Sequence, residues 1–192
     1  MSLYDTLKFL HIITVVFMAA PLYNLVVVNE RVKFGKAHLD VDRYFESLIR
    51  GNAIRCYVFQ LTALVTGVWL TTLGSSFAAL FTNWVLLAKL VVLLALMALL
   101  SVVHFTLQPR IDALLAEATG DVLAPALAAR IAPLRVTRKR LAAVCLFLVI
   151  TTVILGLQVS TRFAPPTTMI LVLVAAVFAC RVYSSRVAYG WM

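Results

Sequence analysis

The sequence predicts an all-α fold, a polytopic bundle of transmembrane helices with five spans. Three observations predict it. Of 192 residues, 63% are hydrophobic and 13% charged, whereas a globular domain is about half apolar and a quarter charged. Mean hydropathy is +1.00. Apolar runs of about 18 or more residues, long enough to cross a bilayer core, recur along the chain.

The first span is expected from about Leu7 to Val28, closed by Glu30, Arg31 and Lys33. No signal peptide is expected, because Asp5 sits beside Lys8 and no small-residue cleavage site leads into a polar domain. A polar stretch follows to Asn52. Within it Val41, Tyr44, Phe45, Leu48 and Ile49 recur at helical spacing, with Asp42, Arg43, Glu46 and Arg50 on the other face. The pattern predicts an amphipathic loop helix lying on the membrane surface.

The second span is expected from Cys56 to Leu73, ending in the turn signal Gly74-Ser75-Ser76. Trp84 is a suitable interfacial anchor for the third, Trp84 to Thr106. Gln108-Pro109-Arg110 then leaves the membrane. Leu123, Leu127, Ile131 and Leu134 recur at near-helical spacing before the fourth span, with Pro125 and Pro133 expected to limit any long helix there. The fourth span runs from Leu141 to Ser160. Pro165-Pro166 turns the chain into the fifth, Thr168 to Ala179. The rival to five spans is four plus a peripheral segment. The whole chain, 1–192, reads as a single integral membrane domain.

Basic residues set the expected orientation. The loop after the first span holds Arg31, Lys33, Lys36, Arg43, Arg50 and Arg55. The loop after the third holds Arg110, Arg130, Arg135, Arg138, Lys139 and Arg140, and the tail adds Arg181 and Arg186. The opposite-side connections hold only Arg162. By the positive-inside rule the long loops and C-terminus are cytoplasmic and the N-terminus is outside, in a bacterial-type inner membrane. The net charge of +9 therefore reflects topology and anionic lipid, and nucleic-acid binding has no independent support.

Five positions within the spans are candidates for a site: Lys8, His11, Lys89, His104 and Gln158. An intramembrane ionisable group is costly and is by default a site hypothesis. His11 lies about one turn inside the outer end of the first span. Lys89, five positions after Trp84, sits at a comparable depth in the parallel third span, and Gln158 at a similar level in the fourth. His11, Lys89 and Gln158 are thus expected to line one pocket. His104 lies fifteen residues beyond Lys89, roughly 22 Å deeper at the helical rise, which excludes one bis-histidine haem joining His11 and His104. Neutral imidazole is a competent axial ligand for haem iron.

Each residue also has a plainer reading. Lys8 suits snorkelling to the surface, His11 and His104 suit helix packing or an interfacial place, and Gln158 suits an interhelical hydrogen bond. Cys56, Cys145, Cys180 and His104 are suitable metal-ligand types near the cytoplasmic ends. Cysteines without ligand spacing usually behave as small apolar residues, so no metal site is assigned to them. No phosphate loop, dinucleotide fingerprint, zincin motif or nucleophile elbow is present.

The run Leu7-Lys8-Phe9-Leu10-His11-Ile12-Ile13-Thr14-Val15-Val16 resembles the opening helix of HemJ-type protoporphyrinogen oxidases and the wider group that includes CopD-like copper-resistance proteins. Leu64-Val65-Thr66-Gly67-Val68-Trp69-Leu70 resembles that group's second helix, and Trp84 through Ala88-Lys89-Leu90 its third. The resemblance covers residues 5–110. The chain departs from the pattern at Ala20-Pro21-Leu22-Tyr23-Asn24 and in its fifth span.

The resemblance implies a haem-associated membrane redox protein with haem b on His11. Lys89 would be a second ligand or a partner for a carboxylate. If the chain is an enzyme, the resemblance implies a membrane oxidoreductase acting on a porphyrinogen, with electrons passing to a quinone. Two alternatives stay open. One is a non-catalytic accessory subunit that contacts other membrane subunits or copies of itself. The other, a metal transporter, lacks a Met-rich or Cys/His-rich pattern.

Overall fold

A computed structural model describes residues 2–29, 39–161 and 163–184. Among these residues the chain is mainly helical, and five helices are long and apolar enough to cross a membrane. In chain order the helices are α1 (Leu3–Asn29), α2 (Leu39–Gly74), the short α3 (Ala79–Thr82), α4 (Trp84–Val102), the short α5 (Gln108–Ala116), α6 (Pro125–Ser160) and α7 (Pro165–Ser184). Each expected span lies inside one of them, the third continuing past the end of α4. The fifth is longer than expected because helix formation starts at Pro165, where a missing N–H costs nothing.

Two helices far exceed the bilayer. At 36 residues each, α2 and α6 are roughly 54 Å long, against a hydrocarbon core of about 30 Å. The excess of both lies at their N-terminal ends, which carry the expected basic loops. The amphipathic segment around Val41–Arg50 is therefore no separate surface helix but the opening turns of α2. Its faces follow the expected pattern only in part, with Ile49 buried and Arg43 and Arg50 exposed as expected. Asp42 and Glu46 are buried, while Val41, Tyr44 and Leu48 are exposed.

Pro133 does not interrupt α6. It lacks the N–H that Ala129 would receive, but Ala129 lies on an exposed face where its carbonyl can be solvated. Asn83 caps α4, its Oδ1 accepting from Val85 N at 3.0 Å. At its far end α4 opens into a π turn, Val103–Leu107, before resuming as α5, so the expected exit at Gln108 is still helical. Gln108 N donates to Val103 O, five residues back. The next residue, Pro109, has no N–H for the Phe105 carbonyl, and the wider turn accommodates that loss.

The bundle core lies where α1, α2, α4 and α6 meet. Met18, Leu93, Leu96, Cys145 and Val149 are buried there, with Phe59 and Leu64 packed against them. Helix α7 packs mainly on α6 and leaves a broad apolar face outward. A second core closes the extended end, where Leu39, Ile111, Leu115, Leu127 and Ile131 bring α2, α5 and α6 together. The chain between α5 and α6 turns at Gly120, whose φ of +90° disfavours a side chain. Leu39 N donates to Asp121 O at 2.9 Å, tying α2 to this turn.

Between the two cores lies a charged layer. Arg138 is 0% and Glu46 1% exposed. Arg138 Nη1 donates to Gln108 Oε1 at 2.7 Å, and Nη2 to Glu46 Oε1 at 3.2 Å. Arg135 donates to Glu46 Oε1 at 3.0 Å and to Asp42 Oδ2 at 2.6 Å. Gln108 Nε2 donates onward to Glu46 and Asp112, each at 3.1 Å. Each carboxylate is met by donors, as buried charge requires.

Candidate functional site

Thr66 and Gly67 on α2 position His11. A threonine within a helix can bond its own backbone, and Thr66 Oγ1 donates to Thr62 O at 2.6 Å. Its proton thus spent, the hydroxyl oxygen accepts from His11 Nδ1 at 2.9 Å. The ring also interacts with the Ala63 carbonyl, another acceptor. A neutral imidazole has one N–H. Donated at Nδ1, it leaves the lone pair on Nε2.

Gly67 makes room for the ring. A Cβ at this position would stand 3.2 Å from His11 Cε1, tighter than ordinary van der Waals contact. Lys89 reaches the same region from α4, close enough to interact electrostatically with the imidazole. Gly156 on α6 lies beside it, where a Cβ would stand in ordinary van der Waals contact, 3.7 Å from Lys89 Nζ. Lys89 is half-buried and makes no hydrogen bond or ion pair among the described residues.

The structure brings His11 and Lys89 to one level, as their depths in the sequence predict. Gln158 does not join them. It donates to Thr168 Oγ1 at the start of α7. Two residues along a helix turn through about 200°, so Gln158 faces α7 while Gly156 faces Lys89. The bond it makes is interhelical, between α6 and α7. Lys8, one turn before His11, lies on an exposed face.

His104 sits elsewhere, in the π turn. Its ring meets Tyr57 edge-on at 6.0 Å between centroids, and Tyr57 in turn hydrogen-bonds Ser101 at 2.8 Å. His104 Nδ1 is buried without a hydrogen-bond partner among the described residues. Cys56 and Cys145 are buried, while Cys180 on α7 is exposed.

Sequence reading missed Thr66, Gly67 and Gly156 as parts of the site. A glycine inside a spanning helix marks a close approach, and both glycines carry that signal. What each one approaches depends on helix rotation, which the sequence does not state.

The pair offers donors of a kind haem can use: an imidazole oriented through one nitrogen with the other free to ligate, and a cation without a carboxylate partner among the described residues. Second-shell bonding of this type commonly fixes a ligating histidine's tautomer. No protein-family model, curated protein or solved structure matches the chain.

Proposed function

We propose that the chain is a haem-associated membrane redox protein, in which His11 would hold the haem iron and Lys89 would partner a propionate or substrate carboxylate. The observation that carries this reading is the Thr66–His11 hydrogen bond, which directs the ring's N–H into α2 and leaves Nε2 as a donor. The resemblance of residues 5–110 to the HemJ/CopD-like group supports the same two residues.

When bound, haem would supply one-electron chemistry at its iron. The chain's residues would do the rest. Thr66 and Ala63 hold the imidazole plane, Gly67 lets it seat against α2, and Lys89 offers positive charge in an apolar setting where an anionic group would be drawn to it. The activity in view is that of an oxidoreductase, with a porphyrinogen or quinone as reaction partner.

The bundle would sit in a bacterial-type inner membrane, with its charged end cytoplasmic and the His11–Lys89 pair in the outer half. The distribution of basic residues supports this orientation.

A second reading, an accessory subunit of a larger membrane assembly, rests on the extended end. There α2, α5 and α6 form a stalk held by its own apolar core and buried ion pairs, a stiff platform for a partner. Purification from haem-replete cells separates the two. Stoichiometric b-type haem supports the redox reading, and haem-free protein with a co-purifying partner would replace it with the accessory one.

A further inference from the structure

The described arginines divide into two sets. Arg43, Arg50, Arg130, Arg135 and Arg138 each meet a carboxylate, and all of them lie in the stalk or the charged layer. Arg55, Arg110, Arg140 and Arg181 are exposed and form no ion pair among the described residues. Their places are regular. Arg55 directly precedes the apolar run of α2, Arg110 follows that of α4, Arg140 directly precedes that of α6, and Arg181 closes that of α7. Within the stalk, arginines find carboxylates of the chain itself. At the span ends they find none among the described residues, and that boundary is where the phosphates of a bilayer lie.

Arg140 stands apart from the other three. Its guanidinium carbon lies 5.2 Å from the centroid of the Tyr183 ring, a contact that joins α6 to the end of α7. The ring's quadrupole attracts a cation placed over its face, which limits where the long arginine side chain can go. The contact leaves the guanidinium N–H groups without an acceptor among the described residues. A planar guanidinium fork matches two phosphate oxygens at once. Tyr183 is 43% exposed, as suits an aromatic at headgroup level. Val144, one turn into the span on the same face as Arg140, is 38% exposed. An apolar surface therefore continues from the cation into the membrane.

We propose that Arg140 and Tyr183 form a site for the phosphodiester headgroup of one anionic phospholipid, with its acyl chains along the exposed apolar surface of α6 and α7. The phosphate oxygens accept from the Arg140 N–H groups, and the Tyr183 ring holds the guanidinium in place for them. A zwitterionic lipid carries the same phosphate, but its own ammonium offsets the attraction, so net negative charge is the property selected. Arg55, Arg110 and Arg181 lack an aromatic partner among the described residues and add only general attraction. Gly156, beside Lys89, lies sixteen residues along α6 from Arg140, roughly 24 Å at the helical rise. The lipid site is thus separate from the His11–Lys89 pair.

The test is native mass spectrometry of the full-length protein in detergent, titrated with phosphatidylglycerol or with phosphatidylcholine. One phosphatidylglycerol should be retained more tightly than any phosphatidylcholine. Arg140→Gln should weaken that equivalent about fivefold, the worth of one interfacial cation. Tyr183→Leu should weaken it about two- to fivefold, while Tyr183→Phe, which keeps the ring, and Arg55→Gln should leave it unchanged. Excess inorganic phosphate should not displace it, because the acyl chains supply part of the binding. Equal retention of the two lipids by wild type would overturn the proposal, and so would displacement by inorganic phosphate; neither measurement needs a variant to fold. An unchanged titration in Arg140→Gln, or an equal loss in Arg55→Gln, would overturn it as well. Haem content should be the same in Arg140→Gln as in wild type, so failure of either reading leaves the other standing.

Discussion

Arg138 and Glu46 meet across the bundle, 92 residues apart in sequence, with Arg138 Nη2 donating to Glu46 Oε1 at 3.2 Å and neither side chain reaching solvent. They join the opening turns of α2 to the middle of α6, and Gln108 and Arg135 add further hydrogen bonds to the pair. A pair of this kind is weak evidence of net stabilisation, because desolvation offsets the attraction, but removing one member leaves a buried charge unpaired. Arg138→Met is therefore expected to destabilise the protein by about 3–5 kcal/mol. Glu46→Leu/Arg138→Met should recover much of that loss, as read from unfolding midpoints in detergent.

Thr66→Val removes the acceptor that holds His11 Nδ1 while keeping shape. Interhelical hydrogen bonds in membranes average about 0.6 kcal/mol, so the fold should survive with a small loss of stability. The haem midpoint potential or its absorption bands should shift, and Thr66→Ser should restore them. A purely structural threonine would move stability and leave the spectrum alone.

Gly67→Leu places a side chain where even a Cβ would stand 3.2 Å from the imidazole. The ring must swing away from α2. Haem content should fall sharply, whereas Gly51→Leu, where a Cβ meets nothing within 4 Å, should leave it unchanged.

Lys89→Met tests a site kept at the expense of stability. A lysine within the apolar part of a span costs about 2.5–3.5 kcal/mol at its centre, less where it can reach an interface. The variant should unfold at a higher temperature than wild type and bind haem more weakly. Lower stability with unchanged haem would assign Lys89 a structural role.

The membrane spans were legible because hydropathy records them directly, and the level shared by His11 and Lys89 was legible because helical rise converts residue spacing into depth. Rotation was not. Gln158 has the right depth and the wrong azimuth, which only the packing of α6 on α7 settles. The stalk was misread for a related reason. A helix face bearing Asp42, Arg43, Glu46 and Arg50 looks the same whether water or another helix covers it, and the arginines that cover Asp42 and Glu46 lie about 90 residues away. Pro133 suggested a break because sequence shows the missing N–H but not the exposed carbonyl that tolerates it.

The most direct test of the redox reading is the absorption spectrum of purified protein, oxidised and dithionite-reduced, for wild type, His11→Ala and His104→Ala. A b-type spectrum in wild type and His104→Ala that is lost in His11→Ala is the expected result. A spectrum that survives in His11→Ala, or the absence of a Soret band from wild type, would contradict haem ligation by His11.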